Sequence, residues 1–195
     1  MERNKTHRAL LKLCATAMMV AIVFVGNYLR VKIPVPLGGV TSFTLANILC
    51  ALSGILLGPV YGFLAAGFGS AIYDLMDPAY VSEAPITLCT KGMYGLVAGL
   101  VLYLFFRSIR GKYFPQLIAT TCAALSYMVI YLIKVFFYNG MFIQGFAQAG
   151  QCWALVISKL PATLFNGGIA IVAAPILGVA LMKALRKAHL DYLIG

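Results

Sequence analysis

The chain has 195 residues, 62% of them hydrophobic and 10% charged, with a mean hydropathy of +0.94. Soluble domains carry about 25% charged residues, so this composition excludes a soluble globular domain and marks an integral membrane protein. The net charge of +10 does not point to nucleic acid, because most of the basic residues flank hydrophobic spans, where they set topology.

At about 20 residues per span, the length suits one all-α transmembrane domain over 1–195, a compact bundle of six helices. Hydropathy and Gly/Pro punctuation predict helices over 10–29, 43–57, 60–75, 86–106, 115–138 and 155–184. Arg3, Lys5, Arg8 and Lys12 lead into the first apolar run, which reads as a membrane helix because no small-residue cleavage site and soluble segment follow it. The second and third helices are short and meet at Gly58-Pro59, which predicts a tight turn between them. The last contains Pro161 and Pro175 and predicts a kink or break.

With the N-terminus inside, the cytoplasmic segments hold ten basic residues: Arg3, Lys5, Arg8, Lys12, Arg107, Arg110, Lys112, Lys183, Arg186 and Lys187. The opposite loops hold Arg30 and Lys32, with Asp74, Asp77 and Glu83 as their acids. This asymmetry places both termini in the cytoplasm. Cys14, Cys50, Cys89, Cys122 and Cys152 lack CxxC spacing and read as small packing residues. His7 and His189 fall in the tails, and no metal site is expected.

Three lysines, Lys91, Lys134 and Lys159, sit inside or at the edge of apolar segments. A charge in the bilayer costs roughly 2.5–3.5 kcal/mol even on insertion scales, so such residues usually face a protein interior or a watery cavity. All three fall in the outer half, which predicts an outward-facing pocket for something polar or anionic. Lys91 heads a face with Gly95 and Gly99 at four-residue steps, built for burial against a neighbour. Lys159 and Asn166 are seven residues apart and project to one side of their helix, where an ammonium and an amide suit a carboxylate or amide-bearing ligand. Lys134 lies close enough to the outer edge to snorkel.

Other positions keep two readings open. Asp74 either pairs with Lys91 at the pocket rim or is a solvated helix end. Trp153 either stacks on a flat ligand or belongs to the interfacial aromatic belt. Asn47 is a polar residue in an apolar run and a candidate for lining the pocket. The Pro/Gly-stiffened segment 30–42 is long enough to act as its lid, and 139–154 is read as a glycine- and glutamine-bearing connection. Gly54, Gly58, Gly62, Ala66 and Ser70 form a small-residue series suited to packing within the monomer. Taken alone, Ala17-xxx-Ala21 on the first helix reads the same way. No GxxxxGK[ST] is present, so any use of ATP requires another chain.

The Ala17-xxx-Ala21 face, the run Leu-Leu-Gly-Pro-Val-Tyr-Gly at 56–62 with Gly69 and Asp74-Leu beyond it, and the stretch from Pro85 to Gly99 resemble a known family. It comprises the substrate-binding S components of bacterial energy-coupling factor (ECF) vitamin transporters. The last stretch is similar to the branch containing pantothenate, pyridoxine and hydroxymethylpyrimidine transporters. The resemblance implies a bacterial cell-membrane protein that binds a small vitamin in an outer pocket near the tips of the last three helices, closed by the loop after the first. It implies toppling in the membrane with a transmembrane coupling subunit and two cytoplasmic ATPases. It also reverses the reading of Ala17 and Ala21, which become the docking face for the coupling subunit. Neither a cofactor nor catalysis is implied. The lysines favour an anion such as pantothenate or a folate over neutral riboflavin.

Two other classes compete. A membrane-embedded enzyme acting on lipid or prenyl groups would need clustered acids, and the candidates Asp74, Asp77 and Glu83 lie in one outer stretch. A stand-alone small transporter would take up its substrate without any ATPase partner.

Overall fold

The computed structural model describes residues 2–34, 40–188 and 190, with side chains from Ala9 onward. The side chains of Arg3, Lys5, His7 and Arg8, together with residue His189 and residues 35–39 of the expected lid, lie outside the described residues. Six α-helices and one β-hairpin follow in chain order: α1 (Glu2–Tyr28), β1 (Arg30–Pro34), β2 (Val40–Thr44), α2 (Ala46–Leu57), α3 (Pro59–Met76), α4 (Ala84–Phe105), α5 (Tyr113–Lys134) and α6 (Ala149–Lys187). Four helical stretches are long and apolar enough to cross a membrane, namely Ala9–Tyr28, Val81–Phe105, Tyr113–Ile143 and Ala149–Lys187.

The α2–α3 turn forms where the sequence predicts it. Gly58 adopts φ 85°, a left-handed conformation that favours glycine, and donates its N–H to Gly54 O. Pro59 then starts α3, where a missing N–H costs nothing. The 12 residues of α2 rise only about 18 Å, short of the ~30 Å hydrocarbon thickness. The hairpin stands beyond its first turn, with β2 ending at Thr44 just before α2 begins.

A seam of small residues joins α2, α3 and α4. A Cβ added to Gly99 would fall 2.6 Å from Gly58 C and Pro59 N, and one on Gly67 would fall 2.7 Å from Leu88 O. The Ser53 hydroxyl lies 2.7 Å from Cys50 O and 3.0 Å from Gly62 O, bridging the two helices across the turn. On α1 the buried stripe is Thr16, Met19, Val23 and Asn27, the three- and four-residue spacing of one helix face. Ala17 and Ala21 lie on its exposed side with Met18, Ile22 and Val25.

Three expectations change. The segment 30–42 is not an open loop: β1 and β2 pair antiparallel, with Arg30 opposite Thr44 and Lys32 opposite Ser42. The connection 139–154 is mostly helical, because α5 continues into a π-helical segment, Val135–Ile143, and α6 begins at Ala149. Gly140 permits this, since a Cβ there would stand 2.9 Å from Cys152 Sγ. Finally, α6 runs unbroken through Pro161 and Pro175 for 39 residues. Each proline deprives the carbonyl four residues earlier, on Ile157 or Ile171, of its helical donor, a loss tolerated in membrane helices packed against neighbours.

Candidate functional site

A cavity opens at the hairpin end of the bundle and contains about 620 Å³ of space, its mouth included. Every element except α1 contributes to its wall. The short α2 sets its floor: Asn47, in the first turn, lines the cavity with Thr44 just before it. The N-terminal end of α2 therefore faces the cavity, with the partial positive charge of unsatisfied N–H groups.

Lys91 enters from α4, is only 6% exposed, and donates to Asn47 Oδ1. Its Nζ also lies 4.7 Å from the centroid of the Tyr127 ring, a cation–π contact. Gly92 and Gly95 on the same helix let α3 approach closely, which keeps Lys91 buried. From α5, Tyr127 and Tyr131 stack at 5.7 Å and line the cavity beside Lys134.

The three acids of the hairpin end each face one cation. Arg30 Nη1 lies 3.5 Å from Asp74 Oδ1, an ion pair with no aligned hydrogen bond to that oxygen. A second guanidinium nitrogen donates to Asn27 Oδ1 at 2.6 Å, and the group sits over the Tyr73 and Tyr80 rings. Lys32 Nζ meets Asp77 Oδ2 at 2.5 Å. Lys134 pairs with Glu83, whose other oxygen accepts from Asn139. Burial alone would raise the Asp77 pKa, but the Lys32 ammonium and the Ala79 amide outweigh it and hold the carboxyl below its usual range. The same contact with Asp77 raises Lys32. Burial raises the Tyr80 phenol.

Asn166 anchors the hairpin. Its Oδ1 accepts Thr44 N–H and its Nδ2 donates to Ser42 O, both at 2.8 Å. Two backbone groups of β2, Thr44 N–H and Ser42 O, are thus satisfied by one side chain of α6. Phe43 packs edge-on against Phe165 at 5.0 Å.

Among the residues expected at the site, Asn47, Asp74, Lys91, Lys134 and Asn166 line this cavity. Neither reading of Asp74 holds: it is buried rather than solvated, β1 brings Arg30 to it, and Lys91 turns instead to Asn47. Lys134 does not snorkel but is buried against Glu83. Lys159 lies beyond that pair, in an adjoining cavity that also includes Tyr80 and Glu83. It shares the buried stripe of α6 with Asn166, but seven residues separate the two by about 10 Å along the axis. Trp153 is 58% exposed, packs on Phe136, and does not line the cavity. The reason is helical phase, because the buried positions there are Cys152, Leu155, Val156 and Lys159.

Sequence reasoning missed Arg30, Glu83, Tyr80, Tyr127 and Tyr131 as cavity residues. The four-residue spacing of Tyr127 and Tyr131 on a predicted helix was the available signal. For Arg30 there was none, since its burial depends on the hairpin.

No curated protein matches the chain in sequence. The family model described as "ECF-type riboflavin transporter, S component" matches residues 8–187. That span takes in the helix-1 alanines, the Gly58-Pro59 turn, the Lys91 helix and the whole of the cavity. A charged, enclosed pocket at one end of an apolar helical bundle is the arrangement a membrane solute-binding subunit needs. The chain belongs to the ECF S-component family and is a multi-pass cell-membrane protein, a substrate-binding subunit of an ECF-type transporter.

Proposed function

We propose that the chain is one six-helix transmembrane domain that binds a small, acidic water-soluble vitamin or vitamin precursor, pantothenate-like in its charge. The observation that carries this reading is Lys91: a buried ammonium on the cavity wall whose hydrogen-bond partner is a neutral amide. Arg30 and Lys134 have acids beside them, whereas no Asp or Glu among the described residues forms an ion pair with Lys91. A buried cation without a counter-charge favours a ligand that supplies one. The α2 N-terminus at the same wall adds to the attraction for an anion. Asn47, Asp74, Lys134 and Asn166 complete the proposed site, with Lys159 at its margin.

A second reading has support from a different observation. The matched family carries riboflavin in its name, and the stacked Tyr127–Tyr131 pair suits a flat, neutral ring system.

In this proposal both termini are cytoplasmic and the hairpin faces outward, in line with the ten basic residues on one side. Separate ATPase subunits hydrolyse ATP, and a transmembrane coupling subunit docks on Ala17 and Ala21. Exposure of both alanines in a small-residue register supports that role.

The test is a titration of the purified chain with pantothenate, pyridoxine, hydroxymethylpyrimidine, folate and riboflavin, paired with cellular uptake of the best ligand. Pantothenate is expected to bind most tightly, and Lys91→Met to weaken it about a hundredfold, the scale for removing one partner of a buried charge contact. Ala17→Trp with Ala21→Trp is expected to abolish uptake while binding persists. Tighter riboflavin binding that tolerates Lys91→Met would replace the acidic-vitamin reading, and unchanged uptake would remove the docking role.

A further inference from the structure

Glu83 is the acid that lines both the main cavity and its neighbour. Four cations, Arg30, Lys91, Lys134 and Lys159, face these two spaces, against Asp74 and Glu83. Asp74 is held with Arg30, so Glu83 is the one carboxylate among Lys134, Asn139 and the Lys159 cavity. Lys159 is 4% exposed, and no hydrogen bond or ion pair of its ammonium occurs among the described residues. Asn139 Oδ1, in the same cavity, is buried without a partner.

The element that carries Glu83 differs from those that carry the cations. Val81–Glu83 is a single 3-10 turn with no buried residue, set between the α3 end and α4. Lys134 and Lys159 stand on long helices whose stripes run through the core. Elements with few buried contacts open at lower free energy than core helices, so the anion is the movable partner and the cations are fixed.

We propose that Glu83 is an internal stand-in for the ligand's anionic group: it holds Lys134 until the ligand's one carboxylate, taken up in the cavity that Lys91 and Lys134 both line, displaces it. The proposal rests on the acidic-vitamin reading above. A buried Lys134 left alone would be strongly destabilised, so Glu83 leaves only in exchange for another negative charge. A neutral ligand cannot complete that exchange. Glu83 therefore competes with an acidic ligand for the same cation and lowers its affinity, while leaving neutral ligands unaffected.

The test compares the wild-type chain with Glu83→Gln, each titrated with pantothenate and with riboflavin. Removing the competing charge should tighten pantothenate binding about tenfold, a conservative figure for one close charge interaction, and raise its affinity relative to riboflavin by the same factor. Thermal stability without ligand should fall, because Lys134 loses its partner. A purely structural Glu83 would lower stability and pantothenate affinity together. The double variant Glu83→Met with Lys134→Met restores an apolar pair in place of the charges and should lose the gain in affinity. If wild type binds pantothenate and Glu83→Gln binds it equally or more weakly, the stand-in role is overturned. If wild type does not bind pantothenate, the acidic-vitamin reading fails, and this inference fails with it.

Discussion

The seam between α2, α3 and α4 and the hairpin end of the bundle are held together by opposite means. In the seam, backbone meets backbone: Gly54, Gly62, Gly95 and Gly99 leave no room for a Cβ. At the hairpin end, long side chains do the holding, through three ion pairs, one asparagine and stacked rings. Close packing has no intermediate states and resists change in any one residue. Side-chain ties are separate contacts that can be exchanged one at a time. The molecule thus places its rigid region where nothing needs to move and its exchangeable contacts around the cavity.

Substitutions can break this contrast at graded cost. Gly95→Leu should have the largest effect, because its Cβ alone would press on Gly62. A loss above about 3 kcal/mol is expected for such overpacking, read as failure to purify a monodisperse protein. Asn166→Ala should cost about 2–3 kcal/mol by leaving Thr44 N–H and Ser42 O without partners. Its signature is faster hydrogen exchange across 40–44 with the helices still protected. An equal loss of protection in α2 and α4 would show that the two regions are not separable.

Lys32→Gln should have the smallest effect, below about 1 kcal/mol, because the ion pair is partly exposed and screened by solvent. Its pH dependence has a definite sign. Asp77 is depressed in the folded protein, so its contribution holds above the usual carboxylate range and is lost as pH falls through the depressed value. Lys32 is raised, so its contribution holds below the usual lysine range and is lost as pH rises through the raised value. Thermal unfolding against pH should therefore show wild type and Lys32→Gln converging at both extremes and separated between them.

The two regions also differ in how far they can be read from sequence. The seam is local: Gly58-Pro59 announces its turn, and glycines four apart announce close approach. Lys91 was legible for the same reason, since it heads a glycine face. The hairpin end depends on pairs distant in sequence. Arg30 meets Asp74 and Glu83 meets Lys134 only because β1 and the 3-10 turn deliver them there, and no spacing rule encodes that. The strands were hidden by their shortness: Arg30-Val31-Lys32-Ile33 alternates polar and apolar residues, but over only four positions before Pro34. The two readings of Trp153 could not be separated because its helix starts earlier than hydropathy suggests, at Ala149, and the phase of its buried stripe was out of view.

The length of α6 bears on how the protein sits in lipid. Its exposed large residues from Trp153 to Leu181 include Ile157, Leu164, Phe165, Val172, Ile176 and Leu177, all apolar, while Lys159 and Asn166 turn inward. This face extends about 42 Å, well beyond the ~30 Å hydrocarbon thickness. Hydrophobic mismatch costs only fractions of a kcal/mol per Å, and here the excess lies along one uninterrupted greasy strip. The bilayer can therefore meet α6 at a range of depths and tilts without uncovering a polar group along that strip.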